Sequence, residues 1–406
     1  MTISNNTSVR GGYGNSNVEL VQQSAGAGTA VLVSHGFQPD YEAGFANGLA
    51  RNGVRVTLVA SDLTLYDRLD PAIEARNLRG SQDPRRASWR KAINLLWYWL
   101  RLLLLVARRR TVTHLTGLFS TNSFSSAWAD KAWVWECQCL RFLSRRLILT
   151  VHNVVPHDRD TPEVRGLLAR VYRIPDVLLV HTARARQRLV DEFAVEPQRI
   201  LVMDHGLDEI IQPRAEAIAA TRAALGIEPG QKLVLFLGWV RRYKGADLLL
   251  DAARCTSNDI RVLIAGNCID TDYRREIEQA ISSDSLSKRV SWEFGYLAEE
   301  RVSELLGAAD VLAMPYREID QSGVLFAALR HGVPVVAFDV GSLRDYLPEG
   351  TGLVVPGGDI AALAAAIDSI EPAARARDRI HALAERFRWQ ETVKPVLKVY
   401  QKGIRQ

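Results

Sequence analysis

Two short stretches in the second half of the chain carry residue types suited to a phosphate-bearing ligand. In the first, the apolar run Leu233–Leu237 ends at Gly238, and Arg241, Arg242 and Lys244 follow before Gly245 and Asp247 open a helical pattern. Cations fixed on a strand-to-helix loop meet a diphosphate beside the free N–H groups of the helix start. Taken alone, the same residues also describe a solvated basic turn. In the second stretch, Val311–Met314 ends in Pro315-Tyr316, and a polar loop with Arg317, Glu318, Asp320 and Gln321 follows. Ser322-Gly323 then open a helix whose first turn, Val324 and Leu325, is apolar. The unpaired N–H groups there can hold a phosphate, glycine lets an anion approach the backbone, and the carboxylates before it can accept sugar or ribose hydroxyls. An ordinary capped helix competes with this reading until both stretches are seen at matching places of one sheet.

The first half offers two further loops, Ser34-His35-Gly36-Phe37-Gln38-Pro39-Asp40-Tyr41-Glu42 and Thr150-Val151-His152-Asn153-Val154-Val155-Pro156-His157-Asp158. Each follows an apolar run. His35, Gly36 and Tyr41 are the candidate acceptor contacts. His152 can bind a sugar hydroxyl or take a proton, or serve only in packing. If an acceptor hydroxyl must be deprotonated, Asp40, His157 and Asp158 are the candidate bases. No metal site is expected. Cys137, Cys139, Cys255 and Cys268 lack the spacing of zinc ligands and read as thiols of a reducing compartment.

These loops need a scaffold of strands and helices. Apolar runs fall at Ala30–Ser34, Val54–Ala60, Val112–Leu115, Leu147–Val151, Val177–Thr182 and Ile200–Met203, separated by helical patterns at Glu42–Asn52, Ala87–Arg109, Asn122–Arg145 and Ala183–Glu192. The pattern restarts with Leu233–Leu237, Arg261–Ala265, Val290–Phe294, Val311–Met314, Val335–Phe338 and Gly352–Val355. Ile360–Ile370, Ala373–Phe387 and Gln390–Lys402 read as closing helices. Runs apolar on both faces, alternating with helices, predict α/β architecture with two Rossmann-like, doubly wound parallel sheets. Ligands bind outside the carboxyl ends of such strands, so a cleft between the two units is expected. The expected division is a disordered leader at 1–28, a front domain at 29–206, a linker at 207–231, a back domain at 232–386 and a final helix at 387–406.

Charge is divided unevenly along the 406 residues. Positions 1–206 hold 26 Lys+Arg against 18 Asp+Glu, while the remainder holds 25 against 28. The leader has no apolar core of a secretory signal. Ala92–Ala107 is the one run suggestive of a membrane, but it is short for a span and contains Arg101. Between Pro84 and Arg110 lie eight basic residues (Arg85, Arg86, Arg90, Lys91, Arg101, Arg108, Arg109, Arg110) and no acid. With Trp89, Trp97 and Trp99 among them, the segment predicts a helix lying on an anionic leaflet. Packing of the same helix on its own sheet, with arginine heads reaching water, is the alternative.

The sequence resembles the GT-B glycosyltransferases, in particular the family-4 class of nucleotide-sugar-dependent enzymes (glycosyl transferases group 1). The likeness spans Thr29–Tyr400 and rests on the G-x-x-R-x-Y-K-G loop, Pro315-Tyr316, Gln321-Ser322-Gly323-Val324-Leu325, His331-Gly332-Val333-Pro334-Val335-Val336 and Phe387-Arg388-Trp389. It implies that Gly238, Arg241 and Lys244 meet the donor diphosphate, and that Glu318, Asp320 and the Gln321–Leu325 turn hold donor sugar and phosphates. It further implies that His152 approaches the donor sugar, that the last helix crosses back to the first domain, and that no catalytic metal or other cofactor is needed. The family's second glutamate falls here on Phe326 or Ala327, both apolar. A serine-glycine helix start without that acid is similar to the β-mannosyltransferases of bacterial exopolysaccharide assembly.

The expectation is therefore a hexosyltransferase at the cytoplasmic face of the membrane, peripheral to it, in exopolysaccharide or cell-envelope glycan synthesis. Its partners would be a GDP- or UDP-sugar donor, a lipid-linked saccharide acceptor and an anionic membrane surface, with no nucleic acid. A transferase with a small soluble acceptor, and a non-catalytic nucleotide-sugar-binding protein of the same fold, are the alternatives.

Overall fold

The computed structural model describes residues 28–34, 38–83, 85–117, 127–156, 160–282, 286–319 and 322–401, without the side chains of 127–130. His35, Gly36, Pro84, His157, Asp158, Asp320 and Gln321 lie outside the described residues, as does the leader before Gly28.

The front sheet is made of β1 (Thr29–Val33), β2 (Arg55–Ala60), β3 (Glu74–Asn77), β4 (Val112–Leu115), β5 (Arg146–Thr150), β6 (Val177–Val180) and β7 (Ile200–Val202). They lie in the order β3-β2-β1-β4-β5-β6-β7, every neighbouring pair parallel. Strand β3, Glu-Ala-Arg-Asn, is polar and carries no apolar signature, as suits an edge strand. The helices between them are α1 (Pro39–Arg51), α2 (Ser88–Arg109), α3 (Ala127–Leu143), α4 (Pro162–Tyr172) and α5 (Ala183–Phe193). Alternation along β1 explains the layering. Ala30 and Leu32 face a core with Phe45 and Leu49 of α1, while Val31 and Val33 face one with Tyr98, Leu102 and Leu140 of α2 and α3.

The stretch expected as a linker contains a helix, α6 (Ala215–Ala224). The back sheet then collects β8 (Lys232–Leu237), β9 (Ile260–Gly266), β10 (Val290–Phe294), β11 (Val311–Met314), β12 (Val335–Phe338) and β13 (Gly352–Val355), in the order β10-β9-β8-β11-β12-β13, again parallel. Its helices are α7 (Ala246–Cys255), α8 (Thr271–Ile281), α9 (Glu299–Ala308), α10 (Gly323–Arg330), α11 (Leu343–Tyr346), α12 (Ile360–Ser369) and α13 (Ala373–Ala384). Both sheets therefore have the doubly wound parallel form expected of the apolar runs.

The chain crosses between the sheets twice, side by side. The Leu207 N–H donates to the Phe387 carbonyl at 2.7 Å, and the Trp389 N–H donates to the Leu207 carbonyl at 3.1 Å. Beyond this crossing the single helix expected at Gln390–Lys402 is absent. Its place is taken by α14 (Trp389–Thr392), a 3-10 turn at Lys394–Val396 and α15 (Leu397–Tyr400). Pro395 is the cause, since it has no N–H for the helical ladder. These pieces still pack on the front sheet, with Trp389, Val393, Val396 and Tyr400 in the α1 core. A Cβ at Gly44 of α1 would lie 2.0 Å from the Trp389 indole nitrogen, so glycine is required for that approach.

Candidate functional site

The two phosphate-suited stretches meet at the carboxyl ends of β8 and β11, which are neighbours in the sheet. Gly238 directly follows β8, and a Cβ placed there would lie 3.2 Å from Val324 of α10 and 3.5 Å from the Lys244 ammonium. Gly238, Lys244 and the first turn of α10 thus surround one point. The loop reverses at Gly245, whose φ of 68° and approach to the Pro315 carbonyl leave no room for a side chain. That reversal delivers Lys244 into the sheet end, where it is buried with its ammonium 5.2 Å from the centre of the Tyr316 ring. No carboxylate among the described residues forms an ion pair with it. Burial lowers its pKa, against the opposing Tyr243 side chain, and the neighbouring Arg241 adds a smaller push downward. A buried cation with no anion beside it is a group prepared for an anionic ligand.

The three cations of the first loop do different work. Arg241 stands over the Trp239 ring at 5.5 Å and acts electrostatically on Lys244. Arg242 points elsewhere: it pairs with Glu276 at 2.6 Å and stacks on Tyr273 at 4.8 Å, both on α8. At the second loop, Ser322 is buried as N-cap of α10, with no side-chain bond to the helix, and Gly323 faces open space. The Glu318 carboxylate is exposed at the loop.

Sequence reasoning missed the tie between the two loops. Arg317 donates to both carboxylate oxygens of Asp247 at 3.0 and 2.5 Å and to the Arg242 carbonyl, and its own N–H donates to the Tyr243 carbonyl at 2.7 Å. The Tyr273 hydroxyl donates to Asp247 at 2.6 Å. A basic residue after β11 and an acid in the first turn after β8 gave no signal, because the pairing exists only once the strands are adjacent. Arg317→Ala is expected to raise the donor KM about tenfold with kcat less affected, by loosening the register of the loops. Unchanged donor KM in initial-rate kinetics would remove this role.

Across the cleft, β5 ends at Thr150 and delivers His152. Its Nε2–H donates to the Thr116 carbonyl at 2.7 Å, which leaves Nδ1 as an acceptor. Burial lowers its pKa to about 4, so the ring is neutral at physiological pH and suited to accept a hydroxyl proton in a hydrogen bond. Around it gather His181, His205 and Tyr41, the Tyr41 ring lying edge-on to His152 at 4.6 Å. Tyr41 is buried in this cluster, and burial raises its pKa. Glu42, next in the chain, is also buried and accepts a hydrogen bond from Ser34. Asp40 sits at the mouth, where Arg68 binds it at 2.6 Å. Arg68 also holds Asp208 of the crossing segment at 2.6 Å and Glu299 of α9 at 3.2 Å, so one guanidinium spans the two halves.

Phe326 occupies one of the two positions where the resembled family carries its second acid. It is buried, stacked on His205 at 4.7 Å and edge-on to Tyr346 and Phe387. Tyr346 in turn donates its hydroxyl to the His181 carbonyl. A carboxylate among these rings would lose hydration without a cation to replace it, so here the position serves packing between the halves. Ala327, the other position, is half-buried, and its carbonyl accepts from the His331 ring at 2.7 Å.

Comparison with known proteins bears on the family and the fold. The family model described as Glycosyltransferase Family 4 matches residues 43–209, and the one described as Glycosyl transferases group 1 matches residues 231–371. A D-inositol 3-phosphate glycosyltransferase of Rhodococcus opacus is 30% identical over 268 residues, 62% of this chain and 60% of that protein. One from a Mycobacterium species (strain JLS) is 34% identical over 230 residues, 55% and 52% of the two chains. The chain thus spans about 60% or less of the length of these curated relatives. Among solved structures, Anabaena HepE with UDP and glucose superposes with a TM-score of 0.69 at 16% identity, covering 92% of this chain and 100% of its own. Sucrose-phosphate synthase from Thermosynechococcus elongatus superposes with a TM-score of 0.67 at 20% identity, covering 92% and 98%. These structural likenesses establish the fold.

Proposed function

The chain belongs to the GT-B glycosyltransferases, a family-4 module followed by a group 1 module, and on that premise we propose that it transfers one hexose from a nucleotide-sugar to a lipid-linked saccharide at the cytoplasmic membrane face. The observation carrying the donor half is the buried Lys244 ammonium, unpaired with any described carboxylate, between Gly238 and the start of α10. In the reaction the bond from the sugar C1 to the diphosphate oxygen breaks, and the acceptor oxygen bonds to C1. The nucleoside diphosphate leaves with the electron pair, its charge met by Lys244 and Arg241, and the acceptor proton passes to a base or to the departing phosphate. HepE, solved with UDP and with UDP-glucose, supports testing uridine donors first, followed by GDP-sugars.

The acceptor half rests on α2. One face packs inward through Tyr98, Leu102, Leu105 and Val106. The opposite face is apolar as well, and Trp89, Ile93, Leu96, Trp97, Leu100 and Leu104 are all between 45% and 63% exposed. Phe142 of α3, which packs beside α2, is also 86% exposed. A helix apolar on two sides requires a second apolar neighbour. Arg90, Lys91, Arg101 and Arg108 are exposed around it, Arg90 over Trp89 and Arg101 over Trp97, which favours an anionic leaflet as that neighbour. Not all of the expected contacts lie at this face. Trp99 turns inward and donates to Glu136 at 3.1 Å, Arg109 pairs with Glu74, Arg85 with Asp83, and Arg86 binds the Ser81 carbonyl. No helix among the described residues is long and apolar enough to cross a membrane. A Trp89→Ser, Trp97→Ser, Leu100→Ser variant is expected to bind anionic liposomes at least about tenfold more weakly. Equal flotation with the parent protein would remove the membrane reading.

A second reading has its own support: relatives named for D-inositol 3-phosphate favour a small soluble acceptor. Nucleotide-sugars screened by thermal stabilisation, followed by incubation of the best donor with a lipid-linked oligosaccharide or with soluble polyols, separate the two. Donor hydrolysis or transfer in either arm excludes a non-catalytic protein, and complete absence of both overturns the transferase reading.

A further inference from the structure

At the end of the front sheet opposite the cleft, an open groove of about 660 Å³ lies beneath the first residues of β1 and β2 and the last turn of α2. Four arginines line it: Arg55, Arg109, Arg110 and Arg145. Its one carboxylate, Glu74, is already bound by Arg76, Arg109 and the Thr57 hydroxyl. Arg145 reaches a backbone carbonyl, that of Gln401, at 3.0 Å. No described carboxylate pairs with Arg55 or Arg110, so the groove holds a surplus of positive charge.

The backbone adds an independent observation. Arg110 is the C-cap of α2 at φ 40° and ψ 49°, one of two non-glycine residues with positive φ among the described residues. Glycine or asparagine is the usual occupant of such a cap. An arginine held there against its backbone preference, with its side chain in an arginine-lined groove, is the kind of strain that accompanies binding sites.

We propose that this groove binds a phosphate-bearing anion, gripped by the guanidinium forks of Arg55, Arg110 and Arg145. Guanidinium groups match phosphate oxygens two at a time, and an open groove of this volume admits a phosphodiester headgroup as readily as a free phosphate. The groove adjoins the C-terminal end of α2, whose exposed ridge runs away from it, so a headgroup of an anionic leaflet and a soluble phosphate are the two sources of the same chemistry. The site is separate from the donor loops and does not depend on the sugar-transfer reading.

The test uses the full-length protein and the variants Arg55→Glu and Arg110→Gly. One arm measures binding to phosphatidylcholine vesicles containing about a third phosphatidylglycerol. The other titrates inorganic pyrophosphate calorimetrically in a Lys244→Met background, where the donor loop contributes little. Each charge removed is expected to weaken anion binding about fivefold, more for the reversal at Arg55. Arg110→Gly is further expected to keep or raise Tm, because glycine adopts the backbone conformation freely. Weakening in the vesicle arm alone assigns the groove to a lipid headgroup, and weakening in the pyrophosphate arm assigns it to soluble phosphates. Binding of both probes at parental strength in both variants, or no binding of either by the parent, overturns the proposal.

Discussion

Replacing Lys244 by methionine is expected to lower transfer at least about a hundredfold with the fold intact, the scale seen when one preorganised donor to a developing anion is lost. The two halves of that expectation have different physical grounds. Catalysis falls because the ammonium sits between Gly238 and the α10 start, where the leaving diphosphate would gather charge. Stability survives because Lys244 is buried without a described carboxylate partner, so its removal strands no opposite charge, and methionine preserves the contact with Tyr316. Tm is therefore expected to hold or rise. The measurements are nucleotide release with the preferred donor and a thermal melt of each protein. Parental turnover in the variant would remove Lys244 from the site.

The second large effect is a loss of stability in mild acid. His114, His181 and His331 are almost wholly buried, and burial lowers the pKa of each, to about 3 for His114 and about 4 for His331. The His114 ring bridges the Tyr400 and Thr150 hydroxyls at 2.6 and 2.8 Å, which joins the C-terminal segment to the front sheet. The unfolded chain takes up protons below about pH 6.5 while the folded chain does not, so stability falls as pH drops from there toward 3–4. For His114 and His331 the cost is about 2 kcal/mol each by pH 5, and His181 adds to it in the same direction. Glu136 works in the opposite direction. Its pKa is pushed up to about 7 by burial, against the pull of the Trp99 N–H and Arg79, so it destabilises the fold as pH rises from about 4.5. His152 and His205, lowered by burial to about 4 and about 3, act in the same direction as the other histidines. The histidines together outweigh Glu136, and the net expectation is a loss of several kcal/mol between about pH 7.5 and 5. Urea melts across that range measure it, and a flat or rising profile would contradict the account. Glu136→Gln should stabilise the protein at pH 8 and steepen the loss in acid.

Much of the architecture was legible because it depends on local pattern. Strands buried on both faces must be apolar nearly throughout, and the partly exposed edge strands β10 and β13 still carry enough apolar residues to stand out, so twelve of the thirteen strands among the described residues were visible as runs. The exception, β3, borders solvent and has no reason to be apolar. Lys244, Gly245 and Ser322-Gly323 were also readable, because a strand-loop-helix turn restricts residue type at fixed offsets from an apolar run. The basic surround of α2 was evident, but the direction each residue faces was not: Trp97 lies outward, while Trp99, two residues on, bonds Glu136 inside.

Residues that act through partners far along the chain were invisible. Arg317 finds Asp247 only because β8 and β11 are neighbours, and Arg68 finds Glu299 only because the halves face each other. Phe326 reads as a missing acid in sequence and as a packed interdomain contact in the fold. The arginine groove joins positions near 55, 110 and 145, which the strand order β2-β1-β4-β5 gathers at one end of the sheet. The sequence by itself determined the parallel sheets and the phosphate-suited loops, since those follow from side-chain period and from the geometry of single turns. Only the tertiary structure decided which charges are paired, which stand without a described carboxylate partner, and which apolar face is left exposed. Those properties depend on what each group meets across the fold.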